Sequence, residues 1–106
     1  MEENEKKITR KNNTTIAGQQ VVIRFYIAVH ELINMKAIRG IQTFTKLYDI
    51  DRRAFKIVEA NPQRKMFDTG WLHYIVKDFK VNPEWLLLGI GPMFSITPPA
   101  KKEDQK

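Results

Sequence analysis

An all-α domain of five short helices is the fold class this sequence predicts. Apolar residues between Val22 and Leu88 recur at three- and four-residue spacing, residues suited to capping a helix stand before three of the apolar runs (Asp51, Asp68, Asn82), and no segment sustains a period-two alternation. The pattern is bounded by polar ends. Residues 1–18 carry Lys11-Asn12-Asn13-Thr14-Thr15 and a lone Gly18, and read as a flexible arm. Residues 97–106 begin with Thr97-Pro98-Pro99, where proline forbids a helix, and read as a disordered tail. The domain is expected to occupy residues 19–96.

A first helix over about 20–35 places Val22, Phe25, Tyr26, Val29, Leu32 and Ile33 on one face and leaves Arg24, Glu31 and Asn34 outside. A second over about 40–48 buries Ile41, Phe44 and Leu47, and Ile50 then enters the core from the turn. The third, about 52–60, opens behind Asp51, whose carboxylate suits the free amides of a first turn. Phe55 and Val58 face inward from it, while Arg52, Arg53 and Lys56 face out. After Asn61-Pro62 and a basic connection, a fourth helix starts from the Asp68 cap and carries Trp71, Leu72, Ile75, Val76 and Phe79. The fifth has Asn82 as cap, proline at its first position, Glu84 beside it and Gly89 or Gly91 as its stop.

A chain of 106 residues with 42% hydrophobic content supports one core. The absence of cysteine excludes disulfides and thiolate metal sites. Met1–Lys7 is charged, unlike a secretory signal, and the longest unbroken apolar run, Phe25 to Val29, is too short to span a membrane, so a soluble cytoplasmic protein is expected. The formal net charge of +6 is unevenly placed: Lys36 to Lys65 holds eight basic and three acidic residues, whereas Asp68 to Leu88 holds two and three. Positive charge thus concentrates on the second and third helices and the connection after them, as a polyanion partner requires. An ordinary solvated basic face is the competing reading.

Two segments resemble the lambda-repressor-like (Cro/repressor, XRE-type) helix-turn-helix family, most closely its phage repressor branch. Phe44-Thr45-Lys46-Leu47-Tyr48-Asp49-Ile50-Asp51-Arg52-Arg53-Ala54-Phe55-Lys56-Ile57-Val58-Glu59 aligns without a gap to the family's helix-turn-helix. Val81-Asn82-Pro83-Glu84-Trp85-Leu86-Leu87-Leu88-Gly89-Ile90-Gly91-Pro92-Met93 looks like the closing helix and glycine-containing turn of phage repressor domains. The resemblance spans roughly residues 22–93 and implies a compact five-helix DNA-binding domain. The chain departs from the pattern at four places: Thr45 replaces the usual Ala, Asp49 the turn Gly, Ile41 the Gln that opens the second helix, and Ala60-Asn61-Pro62 the Asn-Gly after the third.

The expected function is sequence-specific binding of double-stranded DNA by a repressor-like regulator, as a homodimer, with the third helix in the major groove. Arg52, Arg53 and Lys56 are the candidates for base edges, since arginine bridges guanine O6 and N7 with two parallel bonds, and Ala54 is small. Ile57 either packs or touches a thymine methyl. Gln42, Thr43, Lys46, Arg64 and Lys65 are candidates for phosphate, and Lys6, Lys7, Arg10 and Lys11 of the arm for contact along the duplex. The fifth helix with Pro92, Met93, Phe94 and Ile96 is the expected dimer surface. The alternative is a helical protein-interaction module, antitoxin-like or a phage adaptor, that keeps the fold without specific DNA binding. Trp71, Phe79 and Trp85 sit at core spacing rather than forming a stacking platform for single strands, and His30 and His73 lack metal-ligand spacing. No enzyme, metal, cofactor or small-molecule ligand is expected, because no nucleophile-base pair or phosphate-cradling loop occurs.

Overall fold

A computed structural model describes residues 14–95. Its helices are α1 (Ile16–Asn34), α2 (Ile41–Leu47), α3 (Arg52–Ala60), α4 (Gly70–Phe79) and α5 (Pro83–Leu88). No strand occurs among the described residues, in which Val81 and Phe94 form an isolated antiparallel bridge. No described helix is long and apolar enough to cross a membrane. The arm residues before Thr14, and the tail with Ile96, lie outside the described residues.

α1 is the element against which the others assemble, touching α2, α3 and α5. It begins at Ile16, four residues before the expected start. Thr15 Oγ1 accepts from the Gly18 amide at 3.0 Å, and the Thr14 amide donates to the Gln63 carbonyl at 2.6 Å. Composition hid this turn: Thr-Thr and glycine read as loop, whereas threonine here is a helix cap. The buried face of α1 is the expected one, with Val22, Phe25, Tyr26, Val29 and Leu32 enclosed and Ile33 packed at the edge.

The helix ends with Lys36 in the left-handed region (φ 66°), where the Ala37 amide donates to Leu32 O at 2.9 Å and the Lys36 amide to Ile33 O at 3.0 Å. That double bond is a Schellman closure, which drives the following apolar residue back onto the helix. Ala37 and Ile38 are accordingly buried, although they fall outside any helical periodicity.

Phe25 is the hub of the core. Its ring meets Phe44 of α2, Phe55 of α3, Phe67 of the α3–α4 connection and Trp71 of α4, with centroids 5.1–6.3 Å away. Most of these contacts are edge-to-face, the arrangement the ring quadrupole favours. Tyr26, beside it, donates its hydroxyl to Phe55 O at 2.7 Å and ties α1 to the middle of α3. Asp68 is the expected cap of α4, but the N-cap is Thr69, which makes no side-chain cap bond; Asp68 stands one residue earlier and accepts from the Gly70 amide at 2.8 Å in the turn that leads into the helix.

Arg24, expected on the surface, and Asp78 are both structural. Arg24 donates from Nε to Leu86 O at 2.8 Å and from Nη2 to Leu87 O at 3.0 Å. Its guanidinium thus satisfies carbonyls at the end of α5 and meets the negative end of that helix dipole. Gly89 (φ 74°) stops α5, and a Cβ there would lie 3.2 Å from the Arg24 guanidinium. Asp78 accepts from the Tyr48 hydroxyl at 2.6 Å, while the Tyr48 ring stacks on Tyr74 with centroids 4.1 Å apart and planes 3° from parallel. Long, amphipathic side chains escape a periodicity argument because their tips and stems have different neighbours.

The segment after α5 also differs from expectation. Asn82 donates its amide to Met93 O at 2.8 Å and its side chain to Pro92 O at 2.9 Å, and the Ser95 amide donates to Lys80 O at 2.9 Å. Met93 and Phe94 are thereby folded onto the core instead of standing clear as a dimer surface. Leu87, Leu88 and Ile90, at 50, 64 and 58% exposure, form the apolar surface there instead.

Truncation of Phe25 to Ala removes the shared contact of four elements and is expected to cost about 3–5 kcal/mol, read as a lower urea midpoint, with Phe25→Leu losing much less. The tyrosines make a second expectation. Burial first, and then the bond to Asp78, push the Tyr48 phenol far above its usual range; burial first, and then Glu59, do the same for Tyr26. A folded-state value raised above the unfolded one gives stability that is complete below the ordinary phenol pKa of about 10 and is lost as pH rises beyond it. The urea midpoint is therefore expected to fall between pH 9 and 11 (roughly, around that ordinary value), and the fall to be shallower in Tyr48→Phe.

Candidate nucleic-acid interface

The site is built on α3 and the turn before it. Phe44 of α2 and Phe55 of α3 lie 5.7 Å apart between centroids, which fixes the two helices against each other. Thr45, 4% exposed, fits the close approach because its hydroxyl turns back to Ile41 O (3.3 Å) and Gln42 O (3.1 Å) of its own helix. The reversal needs one left-handed residue, and Asp49 supplies it at φ 56°. Aspartate enters this region more readily than most residues other than glycine. The Ile50 amide then donates to Thr45 O at 2.8 Å, and Ile50 packs half-buried against the core, as its place in the sequence implied.

Asp51 starts α3. Its Oδ1 accepts from the amides of Arg53 (2.9 Å) and Ala54 (3.4 Å), satisfying two donors of the first turn. From there the helical advance of about 100° per residue puts Arg52, Lys56 and Arg53 within one arc. All three are exposed, opposite the buried Phe55 and Val58. No carboxylate among the described residues makes an ion pair with any of them. Ile57 is 37% exposed beside them, and Ala54 is partly covered.

The phosphate candidates are distributed around this helix. Gln42 is exposed at the start of α2, Thr43 is half-buried with its amide on Gly40 O at 3.1 Å, and Lys46 is exposed in the last turn of α2. Arg64 and Lys65 are exposed in the connection that follows α3. Ile41, standing at the usual glutamine position of the resemblance, packs against the core, so Gln42 is the amide side chain left at this helix start. Arg39 is exposed just before α2.

The other polar and aromatic candidates have structural surroundings. Trp71 and Phe79 are buried, and Trp85 is half-buried. His30 bonds through Nε2 to Glu59 Oε2 at 2.7 Å across α1 and α3. His73 lies edge-on to Tyr74. Among the described residues no group of three His, Cys, Asp or Glu side chains is arranged to hold a metal. No family model, curated protein or solved structure matches this chain.

Asp51→Ala is expected to destabilise the domain by about 1 kcal/mol through loss of the cap, with Asp51→Ser recovering most of it. Paired urea titrations of the two variants and the parent chain measure this.

Proposed function

We propose that the chain is a repressor-like regulator that binds double-stranded DNA sequence-specifically through α3, within a lambda-repressor-like arrangement of its five helices. The observation that carries this reading is the outer face of α3, where Arg52, Arg53 and Lys56 are exposed, free of carboxylate partners among the described residues, and fixed in direction by the Asp51 cap and the buried Phe55. Three long donors on one arc of a rigid helix suit the major groove, whose width admits an α-helix. An arginine held there gains two parallel bonds to guanine, worth about 1–3 kcal/mol of discrimination. Gln42, Thr43, Lys46, Arg64 and Lys65 then serve the phosphates on either side, setting register without reading sequence.

A single recognition helix reads only a few base pairs, so two copies on a two-fold site supply the specificity that one cannot. The exposed Leu87, Leu88 and Ile90 at the end of α5 are the apolar residues offered for that pairing, replacing Met93 and Phe94 in the role.

Selection of bound duplexes from a random pool, run with the parent chain and with Arg52→Ala/Arg53→Ala, tests the reading. A two-fold symmetric consensus is expected from the parent chain, lost in the double variant, with each arginine weakening the selected site roughly tenfold or more. Binding to that consensus is expected to fall steeply as salt rises, because the phosphate contacts release counterions. No enrichment, with both chains alike, overturns the proposal and favours an interaction module on the same fold.

A further inference from the structure

The outer face of α3 carries one large apolar side chain. Ile57 is 37% exposed and belongs neither to the buried core nor to the apolar side chains packed around it. Its neighbours on that face are Arg52, Arg53, Lys56 and Ala60, all exposed. It follows Arg53 by one helical turn, about 40° further round the helix and about 6 Å further along it. An isoleucine so exposed gains little from burial and is a poorer helix former than alanine or leucine.

We infer that Ile57 reads the 5-methyl group of a pyrimidine in the major groove, beside the guanine taken by Arg53. The inference rests on α3 being the recognition helix, and it adds the chemical group that the second half of that helix selects. Three observations carry it. The first is fixed direction. The Asn61 amide and the Asn61 side-chain Nδ2 both donate to Ile57 O at 3.0 Å, and Val58, next in the chain, is buried. The backbone at Ile57 is thus clamped, and a β-branched side chain on a helix has one strongly preferred rotamer. Contact through such a group costs little ordering entropy.

The second is the surroundings. Glu59, the one acidic residue of α3, lies about 160° round the helix from Ile57. It bonds to His30 at 2.7 Å, which holds its charge away from this edge. Ala60 is small and leaves the approach to Ile57 open.

The third is chemical match. Ile57 offers neither donor nor acceptor, and the 5-methyl is the apolar group that a base edge presents in the major groove. Thymine carries it, cytosine lacks it and 5-methylcytosine regains it. An isoleucine therefore separates methylated from bare pyrimidines, whichever base bears the methyl. At about 3.4 Å per base pair, the offset of about 6 Å from Arg53 corresponds to about two pairs.

The test uses the full chain and the duplex it selects, with each thymine replaced in turn by uracil, which removes the methyl alone. Binding is expected to weaken about fourfold at one position in each half-site, the worth of one buried methyl-sized group. That position is expected about two pairs from the guanine whose preference Arg53→Ala relaxes. The same site is then given a cytosine–guanine pair, with and without the 5-methyl. A methyl effect in either comparison that Ile57→Ala removes supports the inference and names the base that supplies the group. Because the methyl comparisons need only the parent chain, they hold however Ile57→Ala folds. Equal binding with and without the methyl in both comparisons, or a methyl effect that survives Ile57→Ala, overturns this inference and leaves the α3 reading intact. A parent chain that binds no duplex above background overturns the α3 reading and this inference with it.

Discussion

The packing of Phe25 against Phe44, Phe55, Phe67 and Trp71 is the constraint on which this structure depends. One ring on α1 touches α2, α3, α4 and the connection between the last two, so none of these elements can shift alone. Short helices of seven and nine residues, as α2 and α3 are, gain little stability from their own hydrogen bonds. Their stability comes from apolar faces that meet at one point. α5 is held differently, by the Arg24 guanidinium on its terminal carbonyls and by the returning segment that pairs Phe94 with Val81.

That core decides what the surface can present. Phe55 and the Tyr26 hydroxyl fix the inner side of α3 and its rotation about its axis. Once that rotation is set, Arg52, Arg53 and Lys56 have only one direction open to them. Such rigidity lowers the entropy that these long side chains would lose on being ordered, compared with the same residues on a mobile helix. The Asp51 cap adds to this by holding the first turn, from which two of the three cations project.

Charge is sorted on the same framework. α3 directs cations outward from its N-terminal half, and near its C-terminal end Glu59 turns toward His30 of α1. The helix therefore separates a basic surface from an acidic groove within nine residues. A basic face on α3 and an acidic-rimmed groove on α1 are thus distinct surfaces of one small domain.

The sequence by itself determined the number, order and inner faces of the helices, the Asp51 and Asn82 starts and the outward position of Arg52, Arg53 and Lys56. Each of these follows from local chemistry: apolar spacing, a carboxylate or amide near free amides, and the angle between successive residues on a helix. Tertiary structure alone decided the rest. Arg24 and Asp78 look like surface charges until α5 and Tyr48 are placed beside them. Ala37 and Ile38 are buried by a Schellman turn at Lys36, and Met93 and Phe94 are drawn half-buried onto the core by bonds to the backbone of Lys80 and Asn82, neither of which leaves a periodic trace. The groove between Ile23, Ile27 and Pro62 likewise requires two distant segments to come together. Periodicity reports which side of a helix avoids water, whereas partners for polar tips, loop residues and grooves depend on neighbours far along the chain.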